Sequence, residues 1–203
     1  SIVDYSNTVL YSSARNAYMI PRMKRMMRRT VWALTRQLQQ GDFAPESYET
    51  RFGSGKIDRI DVCETENEVL VKVVDYKTGT KTFDFTDIYY GINLQMLVYL
   101  FSICQNGKGQ LENTVPAGIL YMPGKTGFLP ADRHAEEEQM QAQQKRALKM
   151  NGLLLSDPVV LEGMESDGAG VFIPAKLKDG QIDAKSSVAT LEELGKLKRH
   201  IES

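Results

Sequence analysis

The chain has 203 residues, 42% of them apolar and 25% charged, with a net charge of −1. That length carries one α/β domain with a real core, and the composition is that of an ordinary soluble globular protein. The charge excludes a uniformly basic nucleic-acid binder, so any affinity for DNA comes from a local patch or a partner. Residues from about Ser12 to Gln40 read as a long helix, with Met19, Met23, Met26, Met27, Val31, Leu34 and Leu38 at helical spacing. Pro21 divides it or opens its second part, and Gly41 is its stop. Phe43 to Phe52 reads as a linker and a short strand. Lys56 to Cys63 and Val69 to Tyr76 read as paired strands around a polar turn, Glu64 to Glu68. Thr78 to Thr86 is a loop, and a helix runs from about Asp87 to Gln105, ended by Asn106-Gly107. Val115 to Met122 is a third central strand, followed by a loop from Pro123 to Asp132. Ala135 to Met150 and Leu191 to Ile201 read as helices. Asp157 to Ser187 holds two turn-like clusters, Asp167-Gly168-Ala169-Gly170 and Lys178-Asp179-Gly180. This order predicts an α/β fold in which helices flank a mixed central sheet.

Two isolated cysteines, Cys63 and Cys104, are expected to be reduced core thiols. No signal peptide and no apolar run of roughly 18 residues is present, so no membrane contact and a cytoplasmic location are expected. The chain begins without Met and in mid-pattern, as a fragment of something longer would.

The chemistry concentrates at Asp75-Tyr76-Lys77, where an apolar strand ends in a carboxylate and an ammonium two residues apart. Side chains alternate along a strand, so Asp75 and Lys77 share a face. Such a pair suits metal-assisted attack on a phosphodiester: the acid holds a hard cation, and the lysine stands beside the attacking water. The preceding strand carries Gly55-Lys56-Ile57-Asp58-Arg59-Ile60-Asp61. Asp58 and Asp61 fall on opposite faces of a regular strand, so only one joins Asp75 without a bulge, and the hairpin brings Asp58 there. The alternative is that Asp58, Arg59 and Asp61 form solvent-facing salt bridges. Gln95 and Tyr99 lie at i and i+4 on one helix face. Arg22, Lys24, Arg25, Arg28 and Arg29 form either a solvated face, a phosphate-tracking patch or a subunit-docking surface.

The ordered set Gly55-x-x-Asp58, Asp75-x-Lys77 and Gln95-x-x-x-Tyr99 resembles the RecB-like branch of the PD-(D/E)xK nuclease superfamily. Three further segments look like the C-terminal nuclease domain of the B subunit of AddAB/RexAB-type ATP-dependent helicase–nucleases. They are Tyr89 to Leu100, Pro116 to Tyr121 and Met150 to Leu155. The resemblance covers nearly all of residues 1–203, read as one nuclease domain with a restriction-endonuclease-like sheet. It implies a Mg2+-dependent exonuclease, with Mn2+ as an alternative metal, acting on the 5′-ended strand in double-strand-break processing for recombination. Asp58 and Asp75 would bind the metal with the Tyr76 carbonyl. Lys77 would orient the water or stabilise the transition state. Gln95 and Tyr99 would line the DNA path, and Gly55 would permit close backbone approach. The implied partners are DNA and the helicase–nuclease A subunit. The family also has an upstream ligand, often histidine, whereas His134 and His200 occupy no such place. Its B subunits carry an iron–sulfur cluster whose cysteines are absent from this chain. Its members tend to have a further strand before the glycine. Two other readings stay open: a catalytically incomplete DNA-binding or subunit-docking module, and a stand-alone RecB/Cas4-like exonuclease.

Overall fold

The alternating strand Gly55–Glu64 (β2) and the apolar strand Val69–Lys77 (β3) pair antiparallel, with Arg59 opposite Val74 and Glu64 opposite Val69. Their turn closes through Thr65, whose N–H donates to the Glu68 carbonyl at 2.9 Å. This computed structural model describes residues 13–53, 55–77, 83–123 and 149–203. The chain divides into two compact units, Ser1–Arg36 and Gln37–Ser203.

In the first unit, helix Ala14–Gln39 (α1) runs through Pro21, and its last residues belong to the second unit. Its helical periodicity is as the sequence predicts, yet Met23, Met27 and Val31 are exposed. Arg22, Lys24, Arg25 and Arg28 are exposed on the same helix.

The second unit is built on a six-stranded sheet. Ala44–Phe52 (β1) is an edge strand of nine residues, longer than the linker and short strand expected. It supplies a strand before Gly55, with Phe52 paired to Gly55 across a tight turn. The order is β1, β2, β3, Val115–Pro123 (β4), Asn151–Leu155 (β5), and the two-residue strand Val188–Ala189 (β8). β3 and β4 are parallel, as are β5 and β8, and the other pairs are antiparallel. β4 and β5 approach closely at Gly118 and Gly152, where a Cβ would strike the opposite backbone. A separate hairpin joins Leu177–Lys178 (β6) to Gln181–Ile182 (β7) through Asp179-Gly180, both at positive φ as a tight primed turn requires.

The crossover between β3 and β4 corrects one expectation. The predicted helix Asp87–Gln105 is two helices, Phe85–Tyr89 (α2) and Gln95–Asn106 (α3). Gly91 at φ 76° and Asn93 at φ 61° are left-handed and break the run. Asp84 caps α2 by accepting the Thr86 N–H at 2.8 Å. The apolar face of α3, including Leu97 and Leu100, is fully buried, and the helix packs on β3 and β4. Asp157 caps the short helix Pro158–Met164 (α4), and a Thr190/Glu193 capping box opens Leu191–Glu202 (α5). Residues 135–148 of the expected polar helix lie outside the described residues. Met150 is not helical: it is buried, and its N–H donates to the Phe172 carbonyl at 2.7 Å. Both cysteines are free, Cys63 buried and Cys104 half-buried, and burial raises both thiol pKa values. No helix among the described residues is long and apolar enough to cross a membrane.

Candidate active site

β2 and β3 stop pairing with each other at Arg59 and Val74, although each strand runs on, to Gly55 and to Lys77. One step further, the ladder gives way to a side chain. Asp58 Oδ2 accepts the Tyr76 N–H at 2.8 Å. The carboxylate of β2 is thereby fixed against the backbone unit between Asp75 and Lys77. Lys77 Nζ lies 2.6 Å from Asp75 Oδ2, with the Asp75 side chain 17% exposed and that of Lys77 35% exposed. The structure therefore brings Asp58, Asp75 and Lys77 to one place.

Two hard oxygen donors on adjacent strand ends fit a small divalent cation. Asp75 Oδ2 is buried and makes no hydrogen bond of ordinary geometry, so among the described residues its close partner is the Lys77 ammonium. Among the described residues no hydrogen bond reaches Asp58 Oδ1. No cluster of three or more Asp, Glu, His or Cys suited to a metal occurs among the described residues. The donor set here is thus two carboxylates and the carbonyl groups beside them. His200 lies elsewhere, its ring stacked on Tyr89 at 5.7 Å. His134 lies outside the described residues.

Gly55, Gln95 and Tyr99 form a second group at the start of β2, three residues before Asp58. Gln95 Nε2 donates to Tyr99 Oη at 2.6 Å. A Cβ on Gly55 would overlap that hydroxyl and sit 3.5 Å from Gln95 Nε2. The close approach that Gly55 permits is therefore that of the Tyr99 side chain. Tyr99 is 6% exposed and packs edge-on against Phe52 with ring centroids 5.3 Å apart. Gln95 is exposed rather than buried, as the first residue of α3.

The solvent-facing salt bridges considered for β2 are instead buried. Arg59 and Asp61 are 1% and 0% exposed, and they lie on the face opposite Asp58. Arg59 Nε and Nη2 reach the two Asp61 oxygens at 2.8 and 2.9 Å. Lys72, fully buried, sits 3.4 Å from Asp61 Oδ2 and 4.3 Å from the Phe43 ring centroid. Burial pushes its ammonium pKa down to about 8.

Two neighbours of the site escaped the sequence reading. Tyr121, two residues before the end of β4, lies directly opposite Asp75 in the parallel register. Burial first, and the Asp75 charge second, push its phenol pKa up to about 12, so it stays protonated at neutral pH. Asn151 pairs with Tyr121 on β5, and its Oδ1 accepts the Phe83 N–H where the chain re-enters α2. The only signal for Tyr121 was a tyrosine late in an apolar strand, which needs the β3–β4 register to be read.

A mixed sheet with an acid on one strand end and an acid–x–lysine on its neighbour defines a restriction-endonuclease-like nuclease fold. The chain belongs to the PD-(D/E)XK nuclease superfamily, whose family model matches residues 4–200. It is 35% identical over 96% of its length to the B subunit of the ATP-dependent helicase/deoxyribonuclease of Clostridium acetobutylicum. It is 32% identical over 96% to the B subunit of the same name from Ruminiclostridium cellulolyticum. For that of Thermoanaerobacter pseudethanolicus the identity is 30% over 98%. In each case the chain spans 19% of the relative's length.

Proposed function

We propose that this chain is the nuclease part of a helicase–nuclease B subunit and hydrolyses DNA phosphodiester bonds with Mg2+. The observation that carries the reading is the juncture at Tyr76: its N–H is held by Asp58, while Asp75 and Lys77 flank it as an ion pair. Asp58 and Asp75 would hold the cation, with the Tyr76 carbonyl as a further ligand. Bound Mg2+, or Mn2+ in its place, supplies a Lewis acid that offsets charge building on the scissile phosphate. Lys77 orients the attacking water and donates to the developing oxyanion, and Asp75 keeps that ammonium in place. Tyr121, held protonated, is a hydrogen-bond donor and not a base. Gln95, exposed at the start of α3, lines the path of the DNA, and the buried Tyr99 supports it by accepting from its amide. The names of the relatives support a setting in which the partner is a helicase–nuclease A subunit. The substrate would be the strand ending 5′ at a break destined for recombination. The test is cleavage of single-stranded DNA in Mg2+ against the same reaction in chelator, with Lys77→Ala as the inactive comparison.

The absence of a three-ligand cluster among the described residues favours one other reading, a DNA-binding or docking module that keeps the fold. Calorimetric titration with Mn2+ separates the two. An active site binds the ion in a manner lost in both Asp58→Ala and Asp75→Ala, and a scaffold binds none.

A further inference from the structure

Tyr76 is held at two points, its backbone and its phenol. The N–H donates to Asp58. The phenol accepts from Arg59 Nη1 at 3.0 Å. Arg59 is itself immobilised: Asp61 takes its Nε and Nη2, and Gln37 Oε1 accepts from Nη2 at 3.1 Å. With Nη2 bonded to Asp61 and Gln37 and Nε in ion-pair contact with the second Asp61 oxygen, the guanidinium has little freedom to turn, and Nη1 is the corner left to hold Tyr76.

This arrangement is costly as a structural element. Arg59 and Lys72 place two cations beside the single carboxylate of Asp61, all within 1% exposure. Desolvating an ion pair commonly cancels its attraction, and an apolar replacement often holds a core equally well. What the ions add is direction. An apolar residue at 59 would pack against Tyr76 without fixing its distance along the strand.

We propose that Arg59 is a positioning residue for the site. Acting through the Tyr76 phenol, it sets the backbone between Asp75 and Lys77 and hence the spacing of the acid, the Tyr76 carbonyl and the ammonium. The inference rests on the nuclease reading above for its consequence in catalysis, while its structural half stands without it.

Tyr76→Phe isolates the link. It removes one hydroxyl, keeps the ring and the backbone carbonyl, and leaves Arg59 paired with Asp61 and Gln37. Three measurements on the protein decide. Without metal, amide hydrogen exchange at residues 76 and 77 should rise about tenfold, as expected for one lost charged hydrogen bond, with Val71 to Val74 unchanged. Mn2+ affinity should fall by about fivefold or more, and kcat for DNA cleavage by about tenfold, with KM for DNA within about twofold. Arg59→Lys, which keeps a cation but loses the fork, should reproduce the loss. The double variant should lose no more than Arg59→Lys alone, because both act through one bond. Unchanged exchange at 76 and 77 in Tyr76→Phe overturns the proposal. So does a uniform rise across β2 and β3, which marks a purely structural role. Asp75→Ala judges the nuclease reading separately: if it leaves cleavage and Mn2+ binding intact while Tyr76→Phe still frees the amides, that reading fails and the positioning link survives.

Discussion

Asp58 and Tyr76 are joined where their strands stop pairing: the carboxylate Oδ2 takes the backbone N–H at 2.8 Å. In an uninterrupted ladder that N–H would find a carbonyl. Here a side chain substitutes, so one group both terminates the hairpin and stands at the candidate metal position.

Asp58 therefore has two separable duties. Asp58→Asn retains an oxygen that accepts the Tyr76 N–H but loses the charge. Its unfolding free energy should stay within about 1 kcal/mol of the parent, while Mg2+-dependent cleavage falls at least about a hundredfold. Asp58→Ala loses both, and should be less stable than Asp58→Asn by about 1–2 kcal/mol. Denaturant unfolding beside a cleavage assay checks the pair.

Gly55→Ala should be destabilising despite the modest size of the change. The new methyl meets the Tyr99 hydroxyl, which Gln95 holds at 2.6 Å and Phe52 flanks. Overpacking of this kind costs about 1–3 kcal/mol. Tyr99→Phe removes the struck atom, so the double variant should recover part of the loss. Thermal melts of the four proteins form the cycle.

The buried Lys72 sets a pH dependence of stability. Its ammonium pKa is about 8 in the fold, against an ordinary 10.5, chiefly because burial disfavours the charge. The unfolded chain thus binds more protons between pH 8 and 10.5, and this group's contribution to stability rises with pH across that window, by up to ~1.4 kcal/mol per pH step. Below pH 8 the cost is fully present. Lys72→Met should abolish this slope and be tolerated or stabilising at pH 7, because Asp61 keeps its fork with Arg59. Urea titrations of both proteins at pH 7 to 10 measure the difference.

The periodicities that made β2, β3, β4 and the last helix legible are local: alternation or apolar runs bounded by turn residues. Asp58 meeting Asp75 and Lys77 followed from the same logic, because a tight hairpin converts strand parity into proximity. Three features lay beyond such reasoning. The break between α2 and α3 depends on left-handed φ values at Gly91 and Asn93 inside a largely apolar run that reads as one helix. The pairing of Tyr121 with Asp75 depends on a parallel register that no turn fixes. The burial of Arg59, Asp61 and Lys72 contradicts what charged residues on a hairpin normally do; opposite charges held within 3.4 Å offset part of its cost, although Arg59 Nε, Asp61 Oδ1 and Lys72 Nζ lack a hydrogen bond of ordinary geometry.

The most direct test of the central claim is cutting of end-labelled DNA in Mg2+ by the complete protein carrying Asp75→Ala. The account predicts that the protein folds, binds DNA and no longer degrades the strand its parent degrades. Full retention of that cutting would contradict it.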